Sequence, residues 1–159
     1  MDGEHQEKYD NKRTIPSSET NKGEKWHFTV KPKDGKDYGN MQTSGKITIG
    51  NSLPLADNLI LSPSSPFTME ALVCSYNYSD ADSDLDNGTE IRWYKNGEHQ
   101  GQYDNHKEIL PSQTNKGEEW YFTVKPNDGT DFGETKTSAK IMIGNTFPTA
   151  DNLIISPDN

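Results

Sequence analysis

Residues 117–133 read GEEWYFTVKPNDGTDFG and residues 23–39 read GEKWHFTVKPKDGKDYG, so one segment of the chain occurs twice. In both copies Trp, Phe and Val occupy every second position, and a Pro and a DG dipeptide follow. Alternation with a period of two predicts a strand that buries one face, and DG predicts a tight turn. We therefore expect a β-rich fold built from a repeated unit.

The similarity continues on both sides of this segment at the same shift of about 94 residues. Before it, DGEHQEKYDN at 2–11 returns as NGEHQGQYDN at 96–105. After it, TSGKITIGNSLPLADNLILSP at 43–63 returns as TSAKIMIGNTFPTADNLIISP at 137–157. About 60% of the aligned positions are identical without a gap, far more than chance gives, so the chain contains tandem repeats of one unit.

The repeat divides the chain into three predicted parts. We expect the C-terminal part of a first β-sandwich module at 1–51, a complete module at 52–145 and the first strand of a third module at 146–159. Pro54 and Pro148 mark the joints, because proline cannot donate to a sheet ladder and tends to start or precede strands. The chain is then expected to be a piece of a longer array.

The first part of the chain is predicted to be incomplete. Residues 1–50 lack counterparts of the strands at 55–95, so Trp26, Phe28 and Val30 have no second sheet to cover them. We expect this part to be disordered or to pair with another chain through its open edges.

Composition excludes several classes of partner. With 25 acidic and 16 basic residues the net charge is −9, which repels nucleic acid and anionic membrane surfaces. The sequence has no apolar run long enough to span a bilayer and no signal-peptide pattern at its start. Cys74 is the single cysteine, so it has no intrachain disulfide partner, and its place in LVCSY predicts a small buried hydrophobe.

The complete unit reads as short strands separated by clusters of Gly, Asn, Asp, Ser and Pro. Parity along these strands predicts that one set of side chains forms the core: Leu72, Cys74, Tyr76, Ile91, Trp93, Trp120, Phe122, Val124, Ile141 and Ile143. The predicted strands are 55–62, 68–78, 89–95, 98–104, 118–126 and 135–143, with a short one near 107–110.

Two short motifs carry a family resemblance. LP at 110–111 followed by WYFTV at 120–124 resembles the fibronectin type III pattern, and IRWYKNG at 91–97 resembles the third strand of immunoglobulin and fibronectin type III modules. The acidic, cysteine-poor repeats also resemble modules strung in series in large surface proteins of archaea and bacteria. The resemblance implies an all-β, immunoglobulin-like or fibronectin type III-like sandwich, at the cell surface or outside the cell, that serves spacing or adhesion.

The acidic segment SDADSDLDNGTE at 79–90 is the main candidate binding site. Its carboxylates Asp80, Asp82, Asp84, Asp86 and Glu90 are hard oxygen ligands of the kind that Ca²⁺ prefers. An EF-hand is not expected, because a leucine stands where that loop needs glycine and the glutamate falls one residue short of the twelfth position. Two interpretations remain, a looser calcium loop between two strands and a solvated acidic turn.

Other candidate sites are weaker. The DGTD segment at 128–131 and its copy DGKD at 34–37 predict hairpin turns rather than a second metal site. His5 and His99 are predicted to be solvated residues on a polar strand. Asn77 and Asn87 lie in N-glycosylation triplets, which matter only if the protein is secreted.

The sequence favours a non-catalytic function. No serine or cysteine lies in a nucleophile motif, and paired carboxylates occur only in turns, without an apolar pocket to raise a pKa as acid catalysis requires. We therefore expect no catalytic residues and no bound organic cofactor. The leading hypothesis is a structural or adhesive spacer whose partners are the neighbouring modules and, at the cell surface, a protein or glycan. The alternative is a binding module that uses calcium at the acidic loop or a sugar on exposed Tyr94, Tyr103 and Tyr121.

Overall fold

The computed structural model describes residues 3–157 and is mostly β in that range, with several antiparallel sheets and four short 3-10 turns but no α-helix. Within the same range no helix is long and apolar enough to cross a membrane. The strands are β1 Lys25–Trp26, β2 Thr29–Val30, β3 Gln42–Thr43, β4 Ile47–Thr48, β5 Leu55–Ser62, β6 Leu72–Ser79, β7 Glu90–Lys95, β8 Glu98–His99, β9 Glu108–Ile109, β10 Glu119–Lys125, β11 Lys136–Thr137 and β12 Ile141–Met142.

The strands between residues 55 and 142 form two sheets. The larger has the order β11-β10-β7-β8, with β12 also paired to β10, and the smaller has the order β5-β6-β9. In the larger sheet β7 and β10 are antiparallel, with Phe122 opposite Trp93. The β7–β8 hairpin turns at Asn96 and Gly97, whose φ angles of 50° and 85° suit the Asn-Gly turns that match the twist of a hairpin.

One cluster of buried apolar side chains has members on both of these sheets. Trp93, Trp120 and Phe122 are fully buried in it, and the indole Nε1 of Trp93 donates a hydrogen bond of 2.8 Å to the carbonyl of His106. The cluster comprises Ala56, Leu61, Leu72, Cys74, Ile91, Trp93, Ile109, Trp120, Phe122, Val124, Ile141 and Ile143. The predicted inward parity is therefore confirmed, except that Tyr76 is only partly buried.

Cys74 is buried among these side chains, as its strand context predicts. Burial raises the pKa of its thiol to about 11, so the neutral thiol is the form present at physiological pH. The residue therefore acts as a small apolar group in the core rather than as a nucleophile.

Several predicted strand bounds are wrong. The strand predicted at 68–78 begins only at residue 72, because a turn closes at Glu70, whose backbone N–H donates to the carbonyl of Phe67. The strand predicted at 98–104 ends at His99, where the chain enters a 3-10 turn, Gly101–Tyr103. The last predicted strand consists of two short ones, β11 and β12, which both pair with β10.

Disorder or pairing with another chain is the expectation for residues 1–50. In the structure, residues 25–48 form two two-stranded sheets, β1–β4 and β2–β3. Their local geometry repeats that of the complete unit: Trp26 donates to Glu24 at 3.0 Å, as Trp120 does to Glu118. Burial differs. Phe28 is 67% exposed, whereas its counterpart Phe122 is fully buried.

Candidate functional site

The acidic loop connects β6 to β7 and is curled by its own first carboxylate. Asp80 Oδ1 accepts the backbone N–H groups of Asp82 at 2.8 Å and Asp84 at 3.2 Å. Ser83, between them, adopts a φ of 64°. The loop thus brings carboxylate oxygens of Asp80, Asp82 and Asp84 within 4.8 Å of one another. Three hard oxygens at this spacing form part of the ligand set that a calcium ion requires.

The structure gives the other two predicted ligands different partners. Asp86 Oδ2 accepts a hydrogen bond of 3.1 Å from the Tyr76 hydroxyl. Burial, together with the neighbouring Asp86 charge, raises the pKa of Tyr76 to about 12. Glu90 pairs with Arg92 at 2.9 Å on the outer face of β7. The group of facing carboxylates therefore contains three of the five predicted residues.

Residues before β5 also reach this loop. The backbone N–H of Ser52 donates to Asp82 Oδ2 at 2.6 Å, and the Lys22 ammonium pairs with Asp84 Oδ2 at 2.7 Å. The hydrogen bond to Asp84 raises the pKa of Lys22. Sequence reasoning missed Lys22 and Ser52, because nothing in the spacing of the loop indicates a contact with residues 30 or more positions away.

Asp80 has a feature that favours a cation. Its Oδ2 atom is buried, and no donor among residues 3–157 bonds to it. A buried carboxylate oxygen without a donor is costly, and a bound cation is one way to satisfy it. Asn51 Oδ1 and the Tyr78 hydroxyl are likewise buried without a partner in that part of the chain.

The second acidic segment forms the turn that its sequence predicts. Asp128 Oδ1 accepts the backbone N–H groups of Thr130 and Asp131 at 2.6 and 2.7 Å. Asp128 Oδ2 accepts the side-chain amide of Asn51 at 2.7 Å, and the same amide lies 3.0 Å from Asp131 Oδ2. The hydrogen bond from Asn51, followed by that from the backbone of Asp131, lowers the pKa of Asp128. This turn is therefore tied to the connector that precedes β5.

The three tyrosines of the predicted sugar-binding surface do not form one strip. Tyr94 and Tyr121 stack across β7 and β10, with ring centroids 4.8 Å apart and an interplanar angle of 2°. Lys140 lies over the ring of Tyr121 at 5.3 Å. Tyr103 instead packs against Trp120 and the core. Cross-strand stacking of this kind stabilises a sheet without any ligand.

The remaining candidates lie on the surface. His99 pairs with Asp104 at 2.7 Å, and His5 pairs with Asp10 at the same distance. Asn77 is exposed on β6, and Asn87 is exposed where the acidic loop joins β7. Both asparagines are therefore accessible to a modifying enzyme if the protein is secreted.

Comparisons with protein-family models, with curated proteins and with solved structures find no match to this chain.

Proposed function

We propose that this chain is a non-catalytic structural or adhesive spacer from a long cell-surface or extracellular repeat protein. The observation that carries the proposal is the repeat itself, about 60% identical between residues 2–65 and 96–159. Near-identical units in series suit a protein that must reach across a distance, because each added unit extends the array by the same step.

The proposed architecture of each unit is an immunoglobulin-like or fibronectin type III-like β-sandwich. Support comes from the single apolar cluster with members on the β5-β6-β9 sheet and on the β7-β10 sheet. Two sheets that face each other across one core are the defining arrangement of a sandwich. Neighbouring units of the same array are the proposed partners, and the net charge of −9 argues against nucleic acid and anionic membranes.

The spacer function is tested by the shape of longer arrays. We would join one, two and three copies of residues 52–145 and measure the maximum dimension of each by small-angle X-ray scattering. A spacer predicts that this dimension grows by a constant step per copy. Copies that collapse onto one another, with a maximum dimension that barely increases, would refute the proposal.

The second candidate function is calcium binding at the acidic loop, which would stiffen the joint between units. The clustered carboxylates of Asp80, Asp82 and Asp84 support it, together with the buried, donor-free Oδ2 atom of Asp80. Calcium needs six to eight oxygens, so backbone carbonyls and water must complete the shell. The contact between Ser52 and Asp82 places this loop against the connector, where a bound ion would restrict bending.

A further inference from the structure

Two acidic turns of the complete unit lie side by side. The acidic loop leads into β7, which begins beside the end of β10, with Glu90 opposite Lys125. Just before that pair, the backbone N–H of Asn87 donates to the carbonyl of Asn127 at 2.9 Å. The acidic loop and the acidic turn after β10 therefore share one end of the unit. We call their carboxylate surface the acidic pole, and it consists of Asp82, Asp84, Asp128 and Asp131.

Three donors from residues 22–52 bind this surface. The Lys22 ammonium pairs with Asp84 Oδ2 at 2.7 Å. The other three carboxylates of the acidic pole accept hydrogen bonds of 2.6 to 3.0 Å from Asn51 and Ser52 in the connector. Of these three donors only Lys22 carries a charge. The first copy of the repeat thus contributes a cation to an acidic surface of the complete unit.

Charge rather than apolar burial holds Lys22 at this surface. The apolar residues next to Ser52 and Asp84 in the chain, Leu53 and Leu85, are 57% and 83% exposed. The hydrogen bond to Asp84 raises the pKa of Lys22, and the charges of three aspartates of the acidic pole act in the same direction. An ion pair that is open to solvent weakens as salt screens the charges, so this contact should depend on ionic strength.

The turn that carries Lys22 is built in the same way in both copies. The sequence TNKGE occurs at 20–24 and at 114–118. In each turn the backbone N–H and the side-chain amide of the asparagine donate to the glutamate at 2.9 to 3.1 Å. The glycine N–H donates to an isoleucine carbonyl at 2.8 Å in both. Lys116 therefore stands in the same local structure as Lys22 and serves as its reference.

A unit carries this lysine turn and the acidic pole at opposite ends. The turn at 114–118 directly precedes β10, whereas one of the two acidic turns follows it. Because the two features lie beyond opposite ends of one strand, the lysine turn of one unit can meet the acidic pole of the next when units follow each other in the same direction.

We propose that the acidic pole is the docking surface for the lysine turn of the preceding unit, and that Lys22 holds the two units in a fixed orientation. The contact is head-to-tail, so every joint of an array can repeat it. This inference rests on the proposed spacer function, because the partner it names is a neighbouring unit of the same array. A metal ion is not required, since Lys22 supplies the cation.

The first test is the acetylation rate of Lys22 relative to that of Lys116, measured by mass spectrometry on the full chain in EGTA. A paired ammonium reacts slowly, because only the neutral amine is a nucleophile. At low salt, Asp84→Asn should raise the rate at Lys22 about 3-fold or more and leave the rate at Lys116 unchanged. Asp86→Asn is the matched control and should change neither rate, since Asp86 accepts from Tyr76 instead.

Salt provides a second arm of the same test. In about 1 M NaCl the screening length falls to about 3 Å. The rate at Lys22 in the wild type should then rise toward that of Asp84→Asn, whereas the rate in the variant should change little.

The orientation of the two units is measured separately, as the distribution of distances between spin labels at Lys46→Cys and Thr135→Cys. Both positions are exposed, and the thiol of Cys74 is buried and should take up no label. The full chain with Lys22 intact should give a narrow distribution. Lys22→Gln should broaden it, whereas Lys22→Arg, which keeps the charge, should leave it narrow.

Equal acetylation rates at Lys22 in the wild type and in Asp84→Asn would overturn the proposal, and so would a distance distribution that Lys22→Gln leaves unchanged. The spacer function has its own test in the maximum dimension of joined copies. Arrays that lengthen by a constant step, together with a rate at Lys22 that does not respond to Asp84→Asn, would refute the docking surface and keep the spacer.

Discussion

The carbonyl oxygen of Pro54 occupies the place that a side chain on residue 133 would need, 1.8 Å from an ideal Cβ on Gly133. Glycine is required here because another part of the backbone approaches closely, which is one of its ordinary uses. This contact joins the connector before β5 to the end of the turn after β10. The Pro54–Gly133 contact therefore fixes where the smaller sheet begins relative to the larger one.

Gly133→Ala should destabilise the complete unit by about 3 kcal/mol, because the methyl group must displace the Pro54 backbone or the Pro126 ring. Urea unfolding of the full chain measures this change. Gly39→Ala is the control, since it stands in the same turn without a counterpart of Pro54 and should leave the unfolding of residues 52–145 unchanged. Equal midpoints for Gly133→Ala and the wild type would show that the close approach does not exist.

Trp93→Phe should cost about 3 kcal/mol of unfolding free energy. The change leaves a cavity in the core and removes the donor to the buried carbonyl of His106. Tyr94→Phe, one residue further on the outer face, should change stability by no more than about 0.5 kcal/mol. Urea midpoints of the two variants compare them directly, and similar losses in both would contradict the assignment of Trp93 to the core.

Millimolar Ca²⁺ should raise the thermal midpoint by several degrees relative to excess EGTA, if the acidic loop binds the ion. Asp82→Asn combined with Asp84→Asn should abolish that rise. The same double variant loses the ion pair between Lys22 and Asp84 and weakens the bond from Ser52 to Asp82, so its calcium response is measured against its own melting midpoint in EGTA. Asp57→Asn, on an exposed position of β5, is the control and should keep the response to calcium. Melting curves of the wild type that coincide with and without calcium would leave a plain spacer.

Acid should destabilise the complete unit in part through Asp128. Hydrogen bonds lower its pKa in the folded state, so folding favours the ionised carboxylate. This stabilisation is present above the pKa of the unfolded chain and is lost as the pH falls through the lowered pKa. Unfolding free energies measured from neutral pH to strong acid should decline less steeply for Asp128→Asn than for the wild type. Parallel declines would show that the hydrogen bonds to Asp128 do not lower its pKa in the folded state.

The alternation of apolar residues predicted nine of the twelve residues of the core cluster and missed Ala56, Leu61 and Ile109. Trp93, Trp120 and Phe122 stand at every second position in their strands, and each is fully buried. Strand bounds were harder, because local hydrogen bonds compete with the ladder. The N–H of Phe67 bonds to the Glu70 side chain at 2.9 Å and holds a turn where the apolar pattern predicted a strand.

The candidate site was only partly predictable from the sequence. The sequence placed five carboxylates in one candidate set, and the structure brings three of them together, Asp80, Asp82 and Asp84. Asp86 instead accepts from Tyr76, and Glu90 pairs with Arg92. Lys22 and Ser52 reach the same loop across the fold, and such contacts depend on how the connector is placed. Their position follows from tertiary packing, which no local pattern encodes.

The central claim is that residues 52–145 fold as one unit, in which the strands at 55–95 cover β10. The first copy has no counterpart of those strands. Both copies contain the tripeptide FTV, at 28–30 and at 122–124, so their intrinsic amide exchange rates are closely matched. Hydrogen exchange of the full chain in dilute solution compares the two directly. The account predicts that 122–124 exchanges slower than 28–30 by orders of magnitude. Equal protection of the two tripeptides would contradict it.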